Sequence, residues 1–281
     1  IGTNNANLTF EGFEGGGGDD LIDGGGGFDR AAYHLDGNIS IGIVVNLAAG
    51  TVTGDPTLTG TDTLVSIEAI TGSVLADTYI ATGFGPGSTN ASSTGTLNEF
   101  EGMAGNDTIV GNGNTRIAFY HATGGVTVDL NLTTGAVVGN ASVGVDSINA
   151  VGEVNKVRGS NFNDTLLGNS FANLLEGQNG NDTLAGRGGN DTLTGGNGAD
   201  TFVFANADGN DIVTDFLVGT DKIDLTAISG IGTYDDLEAL MTEANGAVTI
   251  TFSPGNSIEL RAATGTLDIA TLHAHQSDFL I

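Results

Sequence analysis

The chain has 281 residues, and its 34 acidic side chains against 7 basic ones leave a net charge of −27 at pH 7. Such a surface repels nucleic-acid phosphates and anionic lipid, which excludes those partners, and it repels itself, so a compact fold needs a bound cation. The lack of cysteine excludes disulfide staples, thiolate metal sites and cysteine nucleophiles, and no apolar run reaches the about 18 residues of a membrane span.

The front of the chain has no basic-then-apolar leader, so an export address is expected elsewhere. GTNNANL from Gly2 matches GNSFANL from Gly168, so the chain opens inside a repeat, and an open first coil expects a cap or an end-to-end neighbour. Residues 15–23 (GGGGDDLID) and 24–32 (GGGGFDRAA) place Asp20 before Ile22 and Asp29 before Ala31. A longer duplication follows. DRAAYHLDGNISIGIVVNLAAGTVTG from Asp29 parallels TRIAFYHATGGVTVDLNLTTGAVVG from Thr115, and GTDTL at Gly60 parallels GVDSI at Gly144. Each copy ends in GSxxxDT, with Asp77 in the first and Asp164 in the second, and GMAGNDTIV between them carries Asp107 and Ile109. The β-branched alternation of GIVVNL and VTVDLNL predicts strands. These two long units are assigned to residues 1–110 and 111–158.

From Gly159 the chain keeps a nine-residue beat through Gly168, Gly177, Gly186 and Gly195. The sixth position reads Asp164, Asn173, Asp182, Asp191 and Asp200, and the eighth reads Leu166, Leu175, Leu184, Leu193 and Phe202, giving GGxGxDxUx with U apolar. The glycines permit tight turns of positive φ with carbonyls turned inward, and xUx is a short strand whose middle side chain points into the core. Two units wind once around a flattened roll, so turns on one edge recur every 9 + 9 = 18 residues: Asp164, Asp182 and Asp200 on one edge, Asn173 and Asp191 on the other. Residues 159–205 are therefore a regular parallel roll. Residues 206–281 form a further segment, in which TYDDLEALMTEA is the one predicted helix, N-capped by Thr233 with Asp236 three residues on. AVTITF and SIEL around SPGN predict a hairpin. The fold class is all-β: a parallel β-roll or β-helix-like solenoid with calcium-binding turns, plus a strand-rich C-terminal segment with one short helix.

Stacked carboxylates need a hard cation between them. An all-oxygen set of Asp carboxylates and backbone carbonyls suits Ca²⁺; Mg²⁺ demands a stricter octahedron and Zn²⁺ prefers nitrogen or sulfur. The candidate ligands are Asp164, Asn173, Asp182, Asp191 and Asp200 with the turn residues Gly177, Asn179, Gly180, Gly186, Gly188, Gly189, Gly195, Asn197 and Gly198. Asp20, Asp29, Asp77 and Asp107 join them from the weaker copies. Several ions are expected, with affinities of about 10⁻⁴ to 10⁻³ M, as in extracellular calcium modules. The roll is expected to be disordered without calcium and to fold on binding it.

At these residues the chain resembles the RTX family of calcium-binding nonapeptide repeats. The long FDRAxY…GTDTL…GSxxxDT unit is similar to modules of large bacterial RTX proteins. ADTFVF, IVTDFLVGTDKIDL and the ending Asp278, Phe279, Leu280, Ile281 resemble the C-terminal segment of serralysin-type proteases and other type I secretion substrates. The resemblance implies export through the type I machinery, carried by an uncleaved C-terminal signal, and calcium-driven folding outside the cell.

No catalytic motif accompanies the repeats: HExxH, GxSxG and GxxxxGK do not occur in the sequence. His34 and His121 hold matching places in the long units, which predicts a shared packing role, while His273 and His275 read as solvated residues of a strand or tail. Asp55–Pro56 reads as a plain turn rather than a bond that splits on calcium addition. The sequons at Asn7, Asn38 and Asn90 are those expected by chance. The function expected is a non-catalytic, secreted calcium-binding protein acting structurally at a bacterial surface, as an adhesin segment or a layer or filament subunit. The alternative is the calcium-folded, secretion-competent tail of an extracellular enzyme. A third option, carbohydrate or ice binding by a flat face, rests on Thr183 and Thr192.

Overall fold

The computed structural model describes residues 12–35, 39–91, 95–134, 136–149 and 152–281. The repeat-like opening at Gly2, Asn7 and Asn38 lie outside the described residues. The chain divides into two compact units, Ile1–Ala122 with Leu132–Lys156, and Thr123–Asn131 with Val157–Ile281. Strands dominate both, and most neighbours run parallel.

In the second unit, each xUx segment forms a short strand with its apolar middle residue inward. One sheet runs Thr127–Asp129, Thr165–Leu167, Thr183–Ala185, Thr201–Ala205, Lys222–Ala227 and Phe279–Leu280, every pair parallel. The opposite sheet runs Leu174–Asn179, Thr192–Asn197, Asn210–Phe216 and Asn256–Ala262, again parallel. Their registers align Leu166, Leu184 and Phe202 with Ile223, and Leu175 and Leu193 with Val213 and Leu260, and all of these are buried. The core is thus two facing columns of single side chains. A column one residue wide cannot close around a gap, so Leu184→Ala is expected to lower stability by about 2–5 kcal/mol, read as a reduced melting temperature in saturating calcium.

The 18-residue period also sorts the outward residues. Thr183 stands in a rank with Thr127, Thr165 and Thr201, whereas Thr192 belongs to the other sheet, paired with Leu174 and Ile212. The two threonines therefore do not share a face.

The first unit repeats this plan with insertions. Gly12–Phe13, Arg30–Ala32, Ala69–Thr71, Asn98–Glu101 and Thr115–Ala118 are successive parallel neighbours. In its other sheet Val44–Asn46, Thr78–Ile80, Thr108–Val110 and Val145–Ile148 run parallel, and Leu21–Asp23 runs parallel to Thr61–Val65. The β-branched stretch of the first long unit folds as an antiparallel meander, Val44–Asn46 with Thr51–Thr53 and that strand with Thr61–Val65. Tyr79 stacks on Phe100 at 4.7 Å between centroids and donates its hydroxyl hydrogen to Asn98 Oδ1 at 2.9 Å.

The C-terminal segment corrects three expectations. The predicted helix spans only Tyr234–Glu238, with the Thr233–Asp236 capping box present. Its second half is instead the strand Met241–Ala244, antiparallel to Ala247–Ser253. The reason is the tight turn at Asn245 and Gly246, both at positive φ, a hairpin signal strong enough to override the helical pattern. A second helix, Ile269–His273, capped by Asp268, replaces the expected strand or tail at His273, whose Nδ1 lies 2.9 Å from Glu238 Oε2. The hairpin around Pro254 and Gly255 joins Ala247–Ser253 to Asn256–Ala262 in antiparallel register.

Candidate metal centre

The turns between strands bring the sixth-position acids into ladders, two of them in the second unit. In the second unit the backbone N–H of Asp164 donates to Asp182 Oδ1 at 2.8 Å, that of Asp182 to Asp200 Oδ1 at 2.9 Å, and that of Asp200 to Asp221 Oδ1 at 3.0 Å. On the opposite edge Asn173 N–H donates to Asp191 Oδ1 at 2.8 Å and Asp191 N–H to Asp211 Oδ1 at 3.0 Å. The first unit carries the same device, from Asp77 N–H to Asp107 Oδ1 at 2.8 Å and from Asp107 N–H to Asp146 Oδ1 at 2.9 Å. Asp20 N–H donates to Asp62 Oδ1 at 3.0 Å and Asp29 N–H to Glu68 Oε2 at 2.9 Å.

One oxygen of each carboxylate is therefore spent on backbone, and the other decides the chemistry. Oδ2 of Asp20, Asp107, Asp182, Asp191 and Asp200 is buried with no hydrogen-bond partner within the chain. Those of Asp107, Asp182, Asp191 and Asp200 are held over the first glycine of their own turn, at Gly102, Gly177, Gly186 and Gly195, where an added Cβ would collide with them. At Gly177 that Cβ would also lie 2.5 Å from the carbonyl oxygen of Gly195, the first glycine of the next coil on that edge. Gly180, Gly189 and Gly198 sit at φ of 133°, 125° and 143°, a region closed to other residues, and an added Cβ at each would run into the backbone of the preceding coil. Gly188 is not in that region and has room for a Cβ, 3.6 Å from Ser170 Cα.

Burial sets the electrostatics. It pushes the carboxyls of Asp182 and Asp191 up to about 7 and that of Asp107 to about 9, with the charge of Asp146 adding to the effect. Asp200 is raised for the same reason. A buried carboxylate with an unpartnered oxygen takes either a proton or a cation. Among the described residues no group of three or more His, Asp or Glu side chains converges on a common metal position, so a cation at these turns would draw one or two carboxylates and otherwise backbone carbonyls. Such hard, all-oxygen surroundings fit Ca²⁺. Asp107, Asp182, Asp191 and Asp200 are the side chains that would hold it.

The remaining candidates divide. Asn179 accepts from Asn197 Nδ2 at 2.8 Å and donates to Asn161, so Asn161, Asn179 and Asn197 form an exposed amide ladder along one edge. Asp77 and Asp164, and Asn173 with its neutral amide, sit in turns of a different build, taken up below. The sequence reading overlooked Asp146, Asp211 and Asp221, which extend the ladders, and the fifth-position side chains of Asp19, Asn106, Asn163, Asn181 and Asn190. Each of these five accepts a backbone N–H from the next coil at 2.8–3.0 Å. The signal for the first three was the G-x-D core of GVDSI, GNDIV and GTDKI, which persists where the nine-residue spacing lapses.

Two other features were read from sequence. His34 and His121 do meet, with ring centroids 5.1 Å apart, beside a buried ion cluster in which Arg30 bridges Glu99 and Glu101 and Arg116 also reaches Glu99. His121 Nδ1 lies 3.0 Å from Glu101 Oε2. Asp55 occupies a turn: its carboxylate accepts the hydroxyls and amides of Ser40 and Thr57, which hold it well below the usual carboxylate range.

The RTX calcium-binding nonapeptide repeat matches the chain in four copies, at residues 13–31, 95–115, 158–193 and 176–206. These spans contain Asp20, Asp107, Asp182, Asp191 and Asp200, five acids with a buried unpartnered oxygen. No curated protein matches the chain. Among solved structures, the crystal structure of extracellular lipase LipA from Serratia marcescens is similar at 15% identity with a TM-score of 0.28, over 76% of this chain and 40% of that one. The chain spans less than half the length of that lipase.

Proposed function

Because the chain carries RTX calcium-binding nonapeptide repeats, we propose that it is a secreted protein that folds on calcium after export and serves a structural, non-catalytic role at or near a bacterial surface, as an adhesin segment or a layer or filament subunit. The observation that carries this reading is the set of ladders whose buried carboxylates keep one oxygen unpartnered. Millimolar calcium outside a cell would fill such turns, whereas the far lower concentration in a cytosol would leave the acids to repel one another.

Asp278 accepts from Gly219 N–H at 2.6 Å and Lys222 Nζ at 2.8 Å, and Phe279–Leu280 pairs with Lys222–Ala227. In the folded chain this segment is the last strand of a sheet. A recognition signal built from it would be readable only before folding, as a chain kept open by low calcium provides.

The structural role predicts assembly. Sedimentation velocity at millimolar calcium is expected to show species larger than one chain, dispersed by chelator. A strict monomer at high protein concentration in calcium would overturn the structural role.

A further inference from the structure

Two kinds of turn are built into this chain. In the units led by Gly102, Gly177, Gly186 and Gly195 the second residue has positive φ (Met103 65°, Gln178 82°, Arg187 64°, Gly196 102°), as does the fourth-position glycine. These are the turns whose Asp keeps an unpartnered Oδ2. The units led by Gly72, Gly159 and Gly168 have Ser73, Ser160 and Asn169 second and Leu75, Phe162 and Phe171 fourth, and none of these six residues has positive φ.

The second residue there turns its polar atoms onto the acid instead. Ser73 donates its N–H to Asp77 Oδ2 and its hydroxyl to Asp77 Oδ1, both at 2.7 Å, while Ile43 N–H reaches the same Oδ1 at 2.7 Å. Ser160 does the same for Asp164, at 2.6 Å to Oδ2 and 2.8 Å to Oδ1, with Val126 N–H on Oδ1 at 2.7 Å. Both hydroxyls also accept a backbone N–H, from Leu75 and Phe162, at 3.1 Å. In the third turn Asn169 N–H donates to Asn173 Oδ1 at 2.8 Å and Asn169 Oδ1 accepts Phe171 N–H at 2.9 Å. The carbonyl of Gly168 is taken by Arg187 Nη1 at 2.9 Å, a guanidinium anchored on Asp129.

We propose that the turns led by Gly72, Gly159 and Gly168 take no calcium, because their own hydroxyl, amide and guanidinium donors occupy the oxygens that an ion would occupy in the other turns. This rests on the calcium reading above and narrows it to the turns whose second residue has positive φ. The Ser-led turns are preformed rungs. Asp77 stands immediately before Asp107 in one ladder and Asp164 immediately before Asp182 in another, so these two runs of metal-bearing turns each begin against one that is complete without metal.

The test is the calcium content of the full chain after gel filtration at fixed millimolar free calcium. Asp107→Asn and Asp182→Asn are expected to lose bound ion, while Asp77→Asn and Asp164→Asn keep the wild-type count. Loss of ion by Asp77→Asn or Asp164→Asn to the same extent as by Asp182→Asn would overturn the inference and leave calcium binding standing. A wild-type chain without calcium, or one whose count Asp107→Asn and Asp182→Asn leave unchanged, would bring down the calcium reading and this inference with it. Should the Asn variants not fold, Ser73→Ala and Ser160→Ala keep the acid and the backbone N–H donor and remove the hydroxyl. Their count is expected to stay or rise, and a fall would make the hydroxyls part of a calcium site and overturn the proposal.

Discussion

Excess chelator at pH 7.5 is expected to abolish most of the far-ultraviolet strand signal of the chain, and millimolar calcium to restore it where equal magnesium does not. The cause is the balance within each coil. Its hydrophobic contribution is a single column residue such as Leu184 or Leu193, and against it stand the ordering of a glycine-rich turn and the confinement of an acid with one unpartnered oxygen. An ion removes the second cost and cross-links consecutive coils. Asp182→Asn with Asp200→Asn should raise the calcium needed for half-maximal folding by about 10–100-fold, the range already seen for groups that merely support metal ligands. Full strand content in chelator would defeat the prediction.

Protons and calcium should act as rivals for the same oxygens, with opposite slopes against pH. In the metal-free folded chain the carboxyls of Asp182 and Asp191 lie at about 7 and that of Asp107 at about 9, against an ordinary value of 3.8. The folded state therefore holds more protons than the unfolded one between those values. Its stability is fully present below about pH 4 and is lost as pH rises through 7 for Asp182 and Asp191 and through 9 for Asp107. In chelator, acidification from pH 8 to pH 5 should thus recover strand signal. In saturating calcium the sign reverses, since binding requires the carboxylates, and the midpoint of thermal unfolding should rise from pH 5 to pH 8. Parallel slopes in the two conditions would mean that the acids and the ion do not share a site.

The nine-residue beat made the roll legible because period alone fixes it: alternate units fall on opposite edges, and the eighth residue of each unit must face inward. The pairing of Asp164, Asp182 and Asp200 on one edge and of Asn173 with Asp191 on the other followed from that arithmetic. Where insertions break the beat, the ladder continues at longer spacings, 39 residues from Asp107 to Asp146, 20 from Asp191 to Asp211 and 21 from Asp200 to Asp221. A search by period passes over those. The difference between Asp164 and Asp182 lies in the φ of the turn's second residue, which sequence states only through Ser160 at the second position and Phe162 in place of glycine at the fourth. In the C-terminal segment the pattern of TYDDLEALMTEA was helical, but the Asn245–Gly246 turn just beyond it claimed Met241–Ala244 for a strand.

The ladders also have a direction. Each amide hydrogen in them is received by a carboxylate from the coil that follows in sequence, and never from the coil before: Asp164 leans on Asp182, Asp182 on Asp200, and Asp200 on Asp221. The final acid, Asp221, closes its ladder on Leu217 N–H within its own turn. Dependence among these acids thus runs one way, opposite to that of the fifth-position side chains, which take N–H groups from the coil after them. A lesion at Asp221 strips support from the coil upstream, whereas the same lesion at Asp164 leaves Asp182 and everything beyond it with their partners intact.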